Sequence, residues 1–125
     1  IAQDFVEKTG VDCLACAFGT VHGLYVTKPC LDYDLVKELD ATIGVPIVMH
    51  GGSGVSEADY DIVIENGVRK VNYYTYMAKS GGEAAREYAV ASEPVYFHDL
   101  ANAATAAMRS NVEEALRIFA HHKEQ

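Results

Sequence analysis

Two histidines stand in matching places along this chain, His22 in the run Thr20-Val21-His22-Gly23 and His50 in the run Met49-His50-Gly51-Gly52-Ser53-Gly54. Each comes shortly after a continuously apolar stretch, and each is followed by glycine. In parallel α/β proteins ligands bind at the carboxyl ends of strands, so histidines on two successive strand ends converge on one site. Neutral imidazole is a common ligand for Zn²⁺, and a catalytic zinc takes three protein ligands and keeps a fourth position for water or substrate. Taken singly, either histidine reads as a hydrogen-bonded loop residue. The repetition predicts instead that His22 and His50 are two metal ligands, their ring nitrogens about 3–4 Å apart around an ion held at ~2.0–2.1 Å.

The glycines beside His50 suggest a second kind of chemistry. Gly51 to Gly54 lie between an apolar run and a helix start, where backbone N–H groups and the positive end of a helix dipole suit a phosphate. The same residues also read as a tight turn, and they match neither of the common nucleotide-phosphate loops. Farther on, Asn72, Tyr73, Tyr74 and Thr75 follow another apolar run and bring an amide and a hydroxyl to the same rim. Cys13, Cys16 and Cys30 are too few, and odd in number, for a disulfide scaffold, which argues for a reducing compartment. Residues three apart on a strand point to opposite faces, so Cys13 and Cys16 are expected to be buried apolar thiols and not a metal pair.

The elements that must position these groups can be traced by pattern. Ile1 to Thr9 reads as the end of a helix stopped at Gly10. Val11 to Phe18, VDCLACAF, reads as a strand buried on both faces. Asp32 caps a helix carrying Leu35, Val36, Leu39 and Ile43, which Gly44 ends. Val45 to Met49 forms the next strand, and Ser56 with Asp59 opens a helix to about Glu65. Val68 to Tyr73 is a third strand, Thr75 to about Ala91 a third helix, and about His98 to His122 a closing helix after Pro94. Strand-helix units in succession call for a parallel sheet with helices outside, either open and doubly wound or a (β/α)8 barrel. A barrel takes ~250 residues, so on that reading residues 1–125 form a single partial domain that needs further strands to close it.

Composition limits the partners. Half of the 125 residues are hydrophobic, and 18 acidic against 10 basic side chains give a formal charge of −8. No basic stripe exists to meet nucleic acid, no apolar run reaches the ~20 residues of a membrane span, and no secretory signal is visible. A cytoplasmic protein without nucleic-acid or membrane partners is the expectation.

Three segments, TGVDCLACAFGTVHGLY, VPIVMHGGSGVS and NGVRKVNYYTYM, occur in the order and at the intervals of the carboxyl-terminal part of the class II, metal-dependent ketose-bisphosphate aldolases, which the chain resembles from Gly10 through Lys79. The resemblance implies the sixth to eighth strands of a TIM barrel and a closing helix. It implies reversible cleavage of a ketose 1,6-bisphosphate, as in the fructose- and tagatose-bisphosphate enzymes, to dihydroxyacetone phosphate and an aldehyde through a zinc-stabilised enediolate. By residue it makes His22 and His50 zinc ligands. Gly23, Gly51, Ser53 and Thr75 then hold the phosphate, and Asn72 contacts the ketose. The family's third zinc histidine and its catalytic aspartate belong to a segment with no counterpart here, so the isolated chain is expected to be inactive. Val26 replaces a phosphate-contacting lysine of some members, leaving Lys28 to swing in, and Tyr74 stands where the family carries aspartate or a small residue. A phosphorylated ketose or dihydroxyacetone phosphate is the implied partner, in a homo-oligomer of the full protein. The alternative is a non-catalytic phosphosugar-binding or scaffold fragment of an aldolase-like barrel.

Overall fold

A computed structural model describes residues 1–21, 23 and 27–120. The chain divides into two compact units, residues 1–73 and 74–125. The first holds α1 (Ala2–Thr9), β1 (Leu14–Ala15), α2 (Tyr33–Ile43), β2 (Ile47–Met49), α3 (Glu57–Glu65) and β3 (Val68–Val71), and the second holds α4 (Thr75–Ala91) and α5 (Phe97–Phe119).

The helix ends follow the capping chemistry of the sequence. Gly10 and Gly44 close α1 and α2 in the left-handed conformation, both at φ 67°. At the other ends, Asp32 accepts a hydrogen bond from the Leu35 amide at 2.9 Å, and Ser56 accepts one from the Asp59 amide at 3.3 Å. Each satisfies a first-turn N–H that the helix itself leaves without a partner.

The three strands form a parallel sheet in the order β1-β2-β3, with Leu14 opposite Ile47 and Met49 opposite Val71. With α2 and α3 as crossovers this makes two successive βαβ units. The central strand is wholly buried, and Phe18, Val36, Ile47, Met49, Val63 and Val68 form the core between sheet and helices.

The outer strands depart from expectation. Val11 to Phe18 contributes only Leu14–Ala15 to the ladder, and Cys13, Ala15 and Ala17 are exposed. The expected burial on both faces fails because β1 has a single strand neighbour, so the apolar run keeps one edge and part of its surface in solvent. For the same reason Cys13 and Cys16 are not the buried thiols predicted: Cys13 is exposed and Cys16 is half-buried, and Cys30, in the loop before α2, is exposed as well. The third strand likewise stops at Val71, two residues short of Tyr73.

In the second unit α4 packs along α5. The approach is close at Gly81, which is buried; a β-carbon there would lie 2.6 Å from Met108 Cγ. The closing helix runs from Phe97, one residue before the expected start, to Phe119, and the expected last turn at His122 lies outside the described residues. No helix among the described residues is long and apolar enough to cross a membrane.

Candidate functional site

The carboxyl ends of β1 and β2 open onto one cavity of about 420 Å³, lined by Ala15, Cys16, Ala17, Thr20, Val21 and His50. His22 lies outside the described residues. The Val21 backbone sits against Gly51, where a β-carbon would overlap the Val21 carbonyl, and Gly51 holds a φ of 66°. Only glycine tolerates both demands. The two histidine-bearing loops therefore touch through the residues next to each histidine.

His50 is exposed, directly after the buried β2. Its Nε2 lies 2.7 Å from Asn72 Nδ2, and the Asn72 N–H donates to the Met49 carbonyl at 2.8 Å. Strand pairing thus brings the asparagine just after β3 onto the histidine just after β2. Lys70 Nζ in turn donates to Asn72 Oδ1.

The glycine loop is closed as a turn by the Val55 amide on the Gly52 carbonyl at 3.2 Å, with Ser53 buried inside it. The Tyr60 hydroxyl, buried on α3, donates to the same carbonyl. Any side chain at Gly52 would meet Tyr60 Oη and Val71 Cγ1, each 2.8 Å from its β-carbon. Beyond the turn, Tyr33 at the start of α2 donates its hydroxyl to Asp59 Oδ1 at 2.7 Å. The Ser56 hydroxyl first, then the Tyr33 phenol and the charge of Lys28, hold the Asp59 carboxyl below the usual carboxylate range. Asp59 in return raises the Tyr33 phenol. Sequence reading missed Tyr33, Tyr60 and Lys70. The available signals were Tyr60 one turn after the Ser56 cap and Lys70 two residues before Asn72 on a strand, where alternate residues share a face.

The remaining predicted residues are less closely drawn in. Gly23 takes a φ of 95° with open space around its α-carbon, and Lys28 is exposed. Thr75 is the half-buried first residue of α4, preceded by Tyr74 at 68% exposure; both belong to the second unit. Among the described residues no group of three or more His, Cys, Asp or Glu side chains is arranged to hold a metal ion. His50 is an exposed imidazole at a strand end, a side chain of the type that ligates divalent metals.

The family model described as fructose-bisphosphate aldolase class-II matches residues 1–124. The YdjI protein of Escherichia coli K12 is 34% identical over 118 residues, which are 94% of this chain and 41% of YdjI. The crystal structure of the YdjI aldolase superposes with a TM-score of 0.80 at 31% identity, over 94% of this chain and 42% of that one. A Coccidioides immitis protein assigned as a fructose-1,6-bisphosphate aldolase gives a TM-score of 0.85 at 30% identity, over 94% and 41%. The fructose-bisphosphate aldolase of Campylobacter jejuni, at 20% identity and a TM-score of 0.76 over 94% and 43%, shares the fold. The chain spans about two fifths of the length of these relatives.

Proposed function

Because the chain belongs to the class II fructose-bisphosphate aldolase family, with the α/β fold of the carboxyl-terminal part of its barrel, we infer that the complete protein cleaves a ketose 1,6-bisphosphate to dihydroxyacetone phosphate and an aldehyde, and runs the reverse addition. One observation carries this reading to the residues: Val21 seated on Gly51, which draws the ends of β1 and β2 around the cavity that His50 lines.

In this reading His50 and His22 hold a Zn²⁺ ion together with a histidine from the part of the relatives' length that this chain does not span. When bound, the ion supplies a Lewis acid for the C2 carbonyl. The chain's own residues bind and orient. Asn72 directs its amide at the ketose oxygens beside His50. Gly23, Gly51 and Ser53 offer N–H and hydroxyl donors to the phosphate, and Lys28 adds positive charge. Cleavage breaks the C3–C4 bond as the C4 hydroxyl gives up its proton to an aspartate outside this chain; the bond's electron pair stays with C3 as the enediolate, which regains a proton at C3 to leave as dihydroxyacetone phosphate. A positioned base is worth ~10² to 10⁴ in rate, so residues 1–125 alone are expected to be inactive. The complete protein is proposed to work as a homo-oligomer.

The test measures metal content and dihydroxyacetone phosphate release from fructose and tagatose 1,6-bisphosphates in the complete protein, beside its His50→Ala variant. The expected result is stoichiometric metal with cleavage, both lost in H50A. A complete protein that binds dihydroxyacetone phosphate with neither metal nor cleavage would return the scaffold alternative.

A further inference from the structure

Asp59 is a buried carboxylate with one oxygen engaged and the other idle. It lies in the first turn of α3 at 7% exposure. Its Oδ1 accepts the Tyr33 hydroxyl at 2.7 Å, whereas Oδ2, shut off from solvent, meets no hydrogen-bond donor among the described residues. A carboxylate inside a protein is costly unless its charge and its lone pairs are both met, so Oδ2 calls for a cation. The chain brings one near. Past the loop that follows β1, the backbone returns to a pinned neck: Gly19 packs against the Cys30 carbonyl, and the Asp32 N–H donates to the Phe18 carbonyl at 2.9 Å. The next residue is Tyr33, whose hydroxyl is the one on Asp59. Lys28 stands two residues before Cys30, exposed, with its charge acting on the Asp59 carboxylate. A flexible four-carbon stem lets its ammonium turn while the neck stays fixed.

We propose that Asp59 is a positioning residue for Lys28: it draws the ammonium toward the start of α3 while the glycine turn holds no anion, and yields it to the phosphate of a ligand seated there. The two stations are close in the chain, since Ser56, which caps α3 and bonds the Asp59 amide, follows the turn by one residue. Affinity for the ligand is then a difference between two attractions for one ammonium. A phosphate competes with the carboxylate for it and a neutral sugar end does not, so the pair discriminates phosphorylated from unphosphorylated ligands. The hold of Asp59 on Lys28 is independent of the aldolase reading; the transfer to phosphate rests on it.

Each half has its own measurement. In the full 125-residue chain without phosphate, acetylation by an N-hydroxysuccinimide ester is followed at Lys28 by peptide mass spectrometry, with the exposed Lys37 as internal reference. Asp59→Asn should speed Lys28 relative to Lys37 by roughly threefold, within the range of an ion pair with an exposed partner. Tyr33→Phe keeps the carboxylate and takes away a donor, so it should slow Lys28; it serves as the second reading should D59N fold poorly. A Lys28 rate that neither variant moves overturns the proposal. In the complete protein, the affinity for inorganic phosphate is measured in the unmodified form, D59N, Lys28→Met and the double variant. The effect of D59N should be more favourable by roughly threefold with Lys28 present than in the K28M background. Equal effects in the two backgrounds would mean plain repulsion between carboxylate and phosphate, and would overturn the transfer of Lys28. Neither measurement involves metal or cleavage, so its failure and a failed aldolase assay are separate outcomes.

Discussion

The Val21 backbone lies against the α-carbon of Gly51, so closely that a β-carbon at Gly51 would overlap the Val21 carbonyl. Gly44 makes a matched control, since it has nearly the same φ, 67° against 66°, but nothing within 4 Å of its would-be β-carbon. Alanine at Gly44 should cost only the left-handed backbone, ~1–2 kcal/mol. Alanine at Gly51 should cost that and the overlap together, at least ~1 kcal/mol more in urea unfolding. Equal losses for the two variants would mean that the loops bearing His22 and His50 do not meet.

Local chemistry was legible in the sequence and lateral chemistry was not. Gly10, Asp32, Gly44 and Ser56 each act within four residues of themselves, and all four cap where the pattern placed them. His50 could be placed at a strand end because β2 is the central strand, whose continuous apolar run is buried as such a run should be. The run Val11 to Phe18 reads the same way, yet exposes Cys13, because its burial depends on how many strands flank it and a sequence window carries no record of its neighbours. The contacts Tyr33–Asp59 and Asn72–His50 join residues 26 and 22 positions apart; the first comes from packing α2 beside α3 and the second from the parallel register of β2 and β3.

Tyr60 is 3% exposed, and its hydroxyl ends on the carbonyl of Gly52 inside the glycine turn. Removing that hydroxyl leaves the carbonyl with the Val55 amide and keeps the ring in the core. Tyr60→Phe should therefore lower stability by about 0.5–1.5 kcal/mol, the net worth of one hydrogen bond. It should also weaken binding of inorganic phosphate in the complete protein, since the turn that presents Gly51 and Ser53 is less firmly held. Phosphate binding unchanged beside a lower unfolding midpoint would confine Tyr60 to a structural part.

Cys16 lines the cavity with His50 and is half-buried, with its thiol pushed up by that burial, whereas Cys13 and Cys30 are exposed. The thiolate is the reactive form. Iodoacetamide followed by peptide mass spectrometry of the 125-residue chain should therefore find Cys16 the slowest of the three. In the complete protein, dihydroxyacetone phosphate with zinc should slow Cys16 further and leave Cys30 unaffected. Equal protection of Cys16 and Cys30 would place the ligand elsewhere.

The pair Tyr33–Asp59 should leave its mark at both ends of the pH scale, because the two groups are shifted in opposite directions. Asp59 is 7% exposed, and the Ser56 hydroxyl, the Tyr33 phenol and Lys28 favour its charged form. Its folded pKa lies below the unfolded value of ~3.9, so its contribution is present above that pH and is lost as the pH falls through the folded value. The Tyr33 phenol is raised above its unfolded value of ~10 by its hydrogen bond to Asp59, then by burial and by the nearby negative charge. That contribution is present below pH ~10 and is lost as the pH rises through the folded value, where the phenolate would face a carboxylate. Urea unfolding across both windows should show Asp59→Asn flattening the acid limb, and Tyr33→Phe removing the alkaline one while partly flattening the acid one. Since α2 and α3 are the crossovers of the sheet that carries His50, both variants should also loosen the glycine turn, read as faster amide exchange at Ser53. An acid limb in D59N parallel to that of the unmodified chain would show that the carboxyl is not held by these partners.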